Sequence, residues 1–65
     1  MTEREQALRR LVDMLFEHVD NDAALLERAA WMSDDEAVAL NLGYLADKKR
    51  EVLARSRAYL ARNLA

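Results

Sequence analysis

Cysteine and proline are absent from this chain of 65 residues, and glycine and histidine occur once each, as Gly43 and His18. Without cysteine there is no disulfide framework, and one histidine alone cannot assemble the ligand set of a structural zinc site. With no proline, Gly43 is the strongest helix breaker left. Long apolar runs are missing too, so no segment reads as a membrane span. The charged start Thr2-Glu3-Arg4-Glu5 is unlike a secretory signal. The expected location is therefore cytoplasmic, with no membrane partner.

What remains is 52% apolar and 34% charged, a profile far from disorder and close to that of a helical bundle or coiled coil. A chain this short has a poor surface-to-volume ratio and usually needs a disulfide, a metal or a partner subunit to become stable. The first two are excluded by composition, which leaves oligomerisation. The net charge of −2 hides an asymmetry. Lys48, Lys49, Arg50, Arg55, Arg57 and Arg62 against Glu51 give residues 48–62 a charge of +5, so the remainder carries −7.

Capping signals and periodicity predict an all-α fold, one domain spanning 1–65 with three helices at about 3–20, 22–32 and 34–63. Thr2-Glu3-Arg4-Glu5 has the form of a capping box. After it, Leu8, Leu11, Val12, Leu15, Phe16 and Val19 recur at helical spacing. Asp20-Asn21-Asp22 favours a turn and a new cap. Leu25, Leu26, Ala29 and Met32 form one side of a short second helix. Ser33-Asp34-Asp35-Glu36 is a second capping box, with its carboxylates at the positive end of the following helix dipole. The third helix continues through Gly43, because Val38, Leu42 and Leu45 keep their phase across it and no cap precedes Tyr44. At 1.5 Å per residue this helix is about 45 Å long, whereas a compact domain of this size has a radius of gyration near ~11 Å. It should overhang its own monomer.

On that helix Val38, Leu45, Val52 and Tyr59 repeat every seven residues, with Ala39, Ala46, Leu53 and Leu60 beside them. The adjoining line Leu42, Lys49, Ser56 and Asn63 turns polar toward the C-terminus, either to set register or because the stripe leaves the core there. The expected assembly is a helical-bundle or coiled-coil-like homodimer with Val38, Leu42, Leu45, Val52, Leu53, Tyr59 and Leu60 at its interface. An antiparallel dimer would bring the basic 48–62 segment together with Asp13, Glu17 and Asp34–Glu36, but the sequence leaves the choice of parallel or antiparallel chains open.

Catalysis has no visible apparatus: there is no thiol, no paired histidine and no glycine-rich phosphate loop. His18, at the edge of the first stripe, has no partner that would make it a base. Asp20-Asn21-Asp22 lacks the glycine and distal glutamate of a calcium loop. The consecutive carboxylates of Asp34-Asp35-Glu36 cannot converge on a cation from one helix. No enzyme activity, cofactor or metal is expected. Trp31 lies off the apolar side of its helix, where it either closes a helix corner or serves as an interface anchor. Tyr44 shares a face with Lys48, Arg55 and Arg62, an aromatic beside a cationic ladder that suits an acidic partner groove. The sequence thus reads as a small regulator or inhibitor that docks on a larger protein, an economy suited to a phage or mobile element. The alternative is a dimeric nucleic-acid-associated protein using the 48–62 face, disfavoured by the net negative charge.

Overall fold

The structure, a computed structural model, describes residues 2–63 as two helices, α1 (Glu3–Met32) and α2 (Glu36–Asn63), packed on each other as a hairpin. α1 starts where the first capping motif lies, with the Glu5 amide donating to Thr2 Oγ1 at 3.2 Å. It then runs without interruption through Asp20-Asn21-Asp22, so the predicted first and second helices are one. Each Asp or Asn costs a helix interior only about 0.5–0.7 kcal/mol relative to alanine. Val19, Ala23 and Leu26 continue the packed seam in phase across them, and that packing outweighs the local preference for a turn.

The seam has alternating spacings of three and four. On α1 it comprises Val12, Phe16, Val19, Ala23, Leu26 and Ala30, all buried or half-buried. α2 answers with Ala39, Leu42, Ala46, Lys49, Leu53, Ser56 and Leu60, likewise buried or half-buried. A mean repeat of 3.5 residues is the coiled-coil repeat, here closed within one chain. Ala23 and Ala46 are 0% exposed and Leu53 5%; among the described residues these are the buried apolar core. Lys49 and Ser56 lie inside the seam, with Lys49 Nζ 4.0 Å from Asp22 Oδ2 on α1.

The turn is Ser33-Asp34-Asp35, and its chemistry differs from the predicted box. Ser33 is the C-cap of α1. Its hydroxyl accepts from the Asp35 amide at 3.2 Å, while Asp35 Oδ1 accepts from the amides of Ala37 and Val38 at 2.9 and 3.2 Å. Asp35 is thus the N-cap of α2, which begins at Glu36, two residues after the predicted start. A carboxylate accepting two orphan amides at the positive end of the dipole outcompetes a serine that first has to end α1. At the far end, Asn63 Nδ2 donates to the Tyr59 carbonyl at 2.8 Å.

Elongation is as expected, with extents of 51 × 18 × 9 Å and a radius of gyration of 15.3 Å, but α2 does not overhang. Its 28 residues are matched by the 30 of α1. α2 is covered along its length, on one edge only.

α2 passes straight through Gly43, which has no positive φ, and a Cβ built there meets nothing within 4 Å. Gly43→Ala is therefore expected to stabilise the protein by about 1 kcal/mol, raising the thermal midpoint by roughly 4–8 °C in a calorimetric scan. A lower midpoint would mean that a helix end forms at residue 43.

Candidate functional site

The hairpin has two unlike edges. Along one, α1 carries Asp13, Asp20 and Glu27 and α2 carries Arg50 and Arg57. Glu27 and Arg50 form an interhelical ion pair there, and the Arg57 guanidinium lies 5.5 Å from the centre of the Phe16 ring. Half-exposed pairs of this kind contribute only about 0.2–1 kcal/mol, so they decide which edges meet more than they hold them.

The other edge is apolar and uncovered. From α2 it takes Val38, Leu45, Val52 and Tyr59, which are 46–59% exposed. α1 contributes Leu8, Leu11, Leu15, Leu25 and Met32, which are 57–77% exposed. Two interleaved stripes on α1 produce this face. Val12, Phe16 and Val19 turn toward α2, while Leu8, Leu11 and Leu15, about a quarter-turn around the helix, do not. A monomer of this mass would ordinarily expose about 4,200 Å². This chain exposes 5615 Å², an excess of about 1,400 Å² over that scaling.

At the hairpin's open end, the positions that extend the α1 seam are Glu5 and Arg9, so the seam has no apolar closure there. Open clefts lie on both sides. One, about 480 Å³, has Leu8, Val12, Phe16 and Leu60 as its apolar lining and Arg9, Asp13 and Arg57 at its polar margin. The other, about 710 Å³, is lined by Val12, Leu15, Tyr59 and Leu60 with Arg55 and Arg62, and merges with the uncovered edge.

The predicted interface residues divide between these surroundings. Leu42, Leu53 and Leu60 belong to the hairpin's own seam, whereas Val38, Leu45, Val52 and Tyr59 stand outside it. Leu8, Leu11, Leu15, Leu25 and Met32 were read from the sequence as apolar positions of two separate helices and not as interface residues. The signal was present, because their spacing is regular once α1 is continuous. Trp31 does not close a helix corner: it is 92% exposed, beside Met32 at 77%, where α1 meets the turn.

The cationic ladder is partly neutralised within α2. Lys48 sits 5.5 Å from the centre of the Tyr44 ring and 3.5 Å from Glu51, and Arg55 donates to the same Glu51 carboxylate. Arg62 is exposed in the last turn. Among the described residues no group of three or more acidic, histidine or cysteine side chains could hold a metal ion, and no helix is long and apolar enough to cross a membrane.

No family model, curated protein or solved structure matches this chain.

Proposed function

We propose that this chain is a non-enzymatic protein–protein interaction module, a small regulator or inhibitor that docks on a larger protein as a helical homodimer. The observation that carries the reading is the uncovered apolar edge. A stable interface removes about 800 Å² from each partner, and the excess exposure of this hairpin is larger than that. The hydrophobic effect favours covering such a surface, and a protomer with three buried residues among those described has little else to stabilise it.

Trp31 supports the second half of the reading. A nearly fully exposed indole at the tip of a rod, away from the apolar edge, is the residue type that most often anchors a heterologous contact. A phosphate-binding use of residues 48–62 has less support, because Glu51 engages both Lys48 and Arg55.

Sedimentation equilibrium at tens of micromolar tests the homodimer, and a monomer there overturns it. For the docking half, wild-type protein and Trp31→Ala are used side by side to capture proteins from the host extract. A protein retained stoichiometrically by the wild type should bind the variant at least ~30-fold more weakly, while the variant's own stability changes by less than about 0.5 kcal/mol. If the wild type retains nothing, or the variant binds equally well, the assignment to Trp31 fails.

A further inference from the structure

Resting on the homodimer reading, we infer how the two copies meet: α1 packs antiparallel on α1 of the partner subunit, through its outer stripe, about a two-fold axis at the level of Asp20. The stripe runs from Leu8 to Met32 with spacings of three and four, and it is exposed throughout. Leu8, Leu11 and Leu15 lie before its centre, and Leu25, Ala29 and Met32 after it. At the centre are His18 and Asp22, its only polar members.

A two-fold contact is self-complementary, so a residue that meets another must itself be met by it in return. Antiparallel pairing about Asp20 sets Leu15 beside Leu25 of the partner subunit and Leu11 beside Ala29 of the partner subunit. Leu8 then meets Met32 of the partner subunit. The same operation places His18 against Asp22 of the partner subunit, twice. The one basic-capable side chain thus falls opposite the one acid, with apolar layers on either side. An imidazole N–H donates to a carboxylate in either protonation state. Lys49 Nζ lies 4.0 Å from Oδ2 of Asp22, whose side chain is still more than half exposed and so open to a second partner. Parallel pairing would instead set His18 against His18 and Asp22 against Asp22, a repulsive centre.

The alternative of α1 on the partner's α2 is less favourable. Outward of Val38, Leu45 and Val52, α2 presents Asn41, Lys48, Arg55 and Arg62, all exposed. Leucines of α1 would then desolvate cations, whereas α1 on α1 covers leucine with leucine. The direction of the stripe also fits, since it lies about a quarter-turn around α1 from the seam. That is the angle between the two neighbours of a helix in a square four-helix bundle, in which α2 lies beside α2 of the partner subunit with Val38, Leu45 and Val52 toward it and the cations at the rim.

The chain has no cysteine, so single thiols report proximity directly. Leu15→Cys and Leu25→Cys proteins are mixed in equal amounts, allowed to exchange, and treated with a short bis-maleimide. In the proposed arrangement positions 15 and 25 of opposite copies are level, whereas the two copies of position 15 are about 15 Å apart along the axis. The expected product is the adduct joining the two variants, in clear excess over either self-adduct. Dominant self-adducts would overturn the antiparallel orientation. A dimer that sediments normally but yields no adduct would place the interface on another face, overturning this inference while leaving the homodimer reading standing. A monomer would remove both. His18→Asp is expected to raise the dimer dissociation constant on the order of tenfold by facing carboxylates across the axis, and adding Asp22→His should restore it. An unaffected dimer in the single variant would rule out the central contact.

Discussion

Leu53→Ala is expected to abolish the cooperative thermal transition of this protein, measured by helical circular dichroism at fixed protein concentration. Among the described residues Leu53 is the only large side chain in the buried core, at 5% exposed, since its companions Ala23 and Ala46 present one carbon each. Truncating a buried leucine costs about 2–5 kcal/mol once the cavity is included. A chain below about 70 residues rarely gains more than ~3–5 kcal/mol from its core. The loss is therefore comparable to the whole stability. Leu40→Ala provides the contrast: Leu40 is 70% exposed on the outer side of α2, and its removal should shift stability by less than about 0.5 kcal/mol. If the two variants melt alike, the seam described above does not hold the hairpin together.

Leu15→Glu, alone or with Leu25→Glu, is expected to convert the proposed dimer into a monomer. Both leucines are about 60% exposed in the single chain, so their apolar surface is available to a partner. Burying such a side chain contributes roughly 1.5–3 kcal/mol, and symmetry makes each change count twice, for about 3–6 kcal/mol per dimer. That corresponds to a dissociation constant raised by about two to four orders of magnitude. Glutamate has nearly the helix propensity of leucine, so α1 should not suffer from the exchange itself. Sedimentation equilibrium across a dilution series reads the result directly. An unchanged dimer mass would exclude the outer stripe of α1 as the interface. Leu40→Glu, on a surface that the proposed assembly leaves in water, should have no such effect.

Much of the helical architecture is legible in the sequence, and the exception is the turn expected at Asp20-Asn21-Asp22. Continuity through Gly43 followed from the phase of Val38, Leu42 and Leu45. The same reasoning on Val19, Ala23 and Leu26 predicts continuity through Asp20-Asn21-Asp22, but three turn-forming residues in a row masked it. Local preferences of about 0.5–0.7 kcal/mol each were set against packing that only a second helix of equal length could supply.

The division between inner and outer stripes was harder to see. Leu8, Leu11 and Leu15 interleave with Val12, Phe16 and Val19, and all six satisfy helical spacing. Which three face the neighbouring helix depends on the handed choice of edges, which the Glu27–Arg50 pair and the phase of α2 make visible only in three dimensions. Trp31 was ambiguous for a related reason. With a corner at residues 20–22 it had a helix junction to fill, and with one straight α1 it has none.

The three-residue connection between α1 and α2 has a kinetic consequence. Nearly every interhelical contact can form by zipping outward from Ser33-Asp34-Asp35, with only a small loop to close at the start, so the topology favours folding in microseconds to milliseconds. Meeting a second molecule is by contrast a concentration-limited event. If the chain pairs as proposed, it would therefore pass through a short-lived lone hairpin with its leucines in water, and dilution would lengthen that stage in proportion.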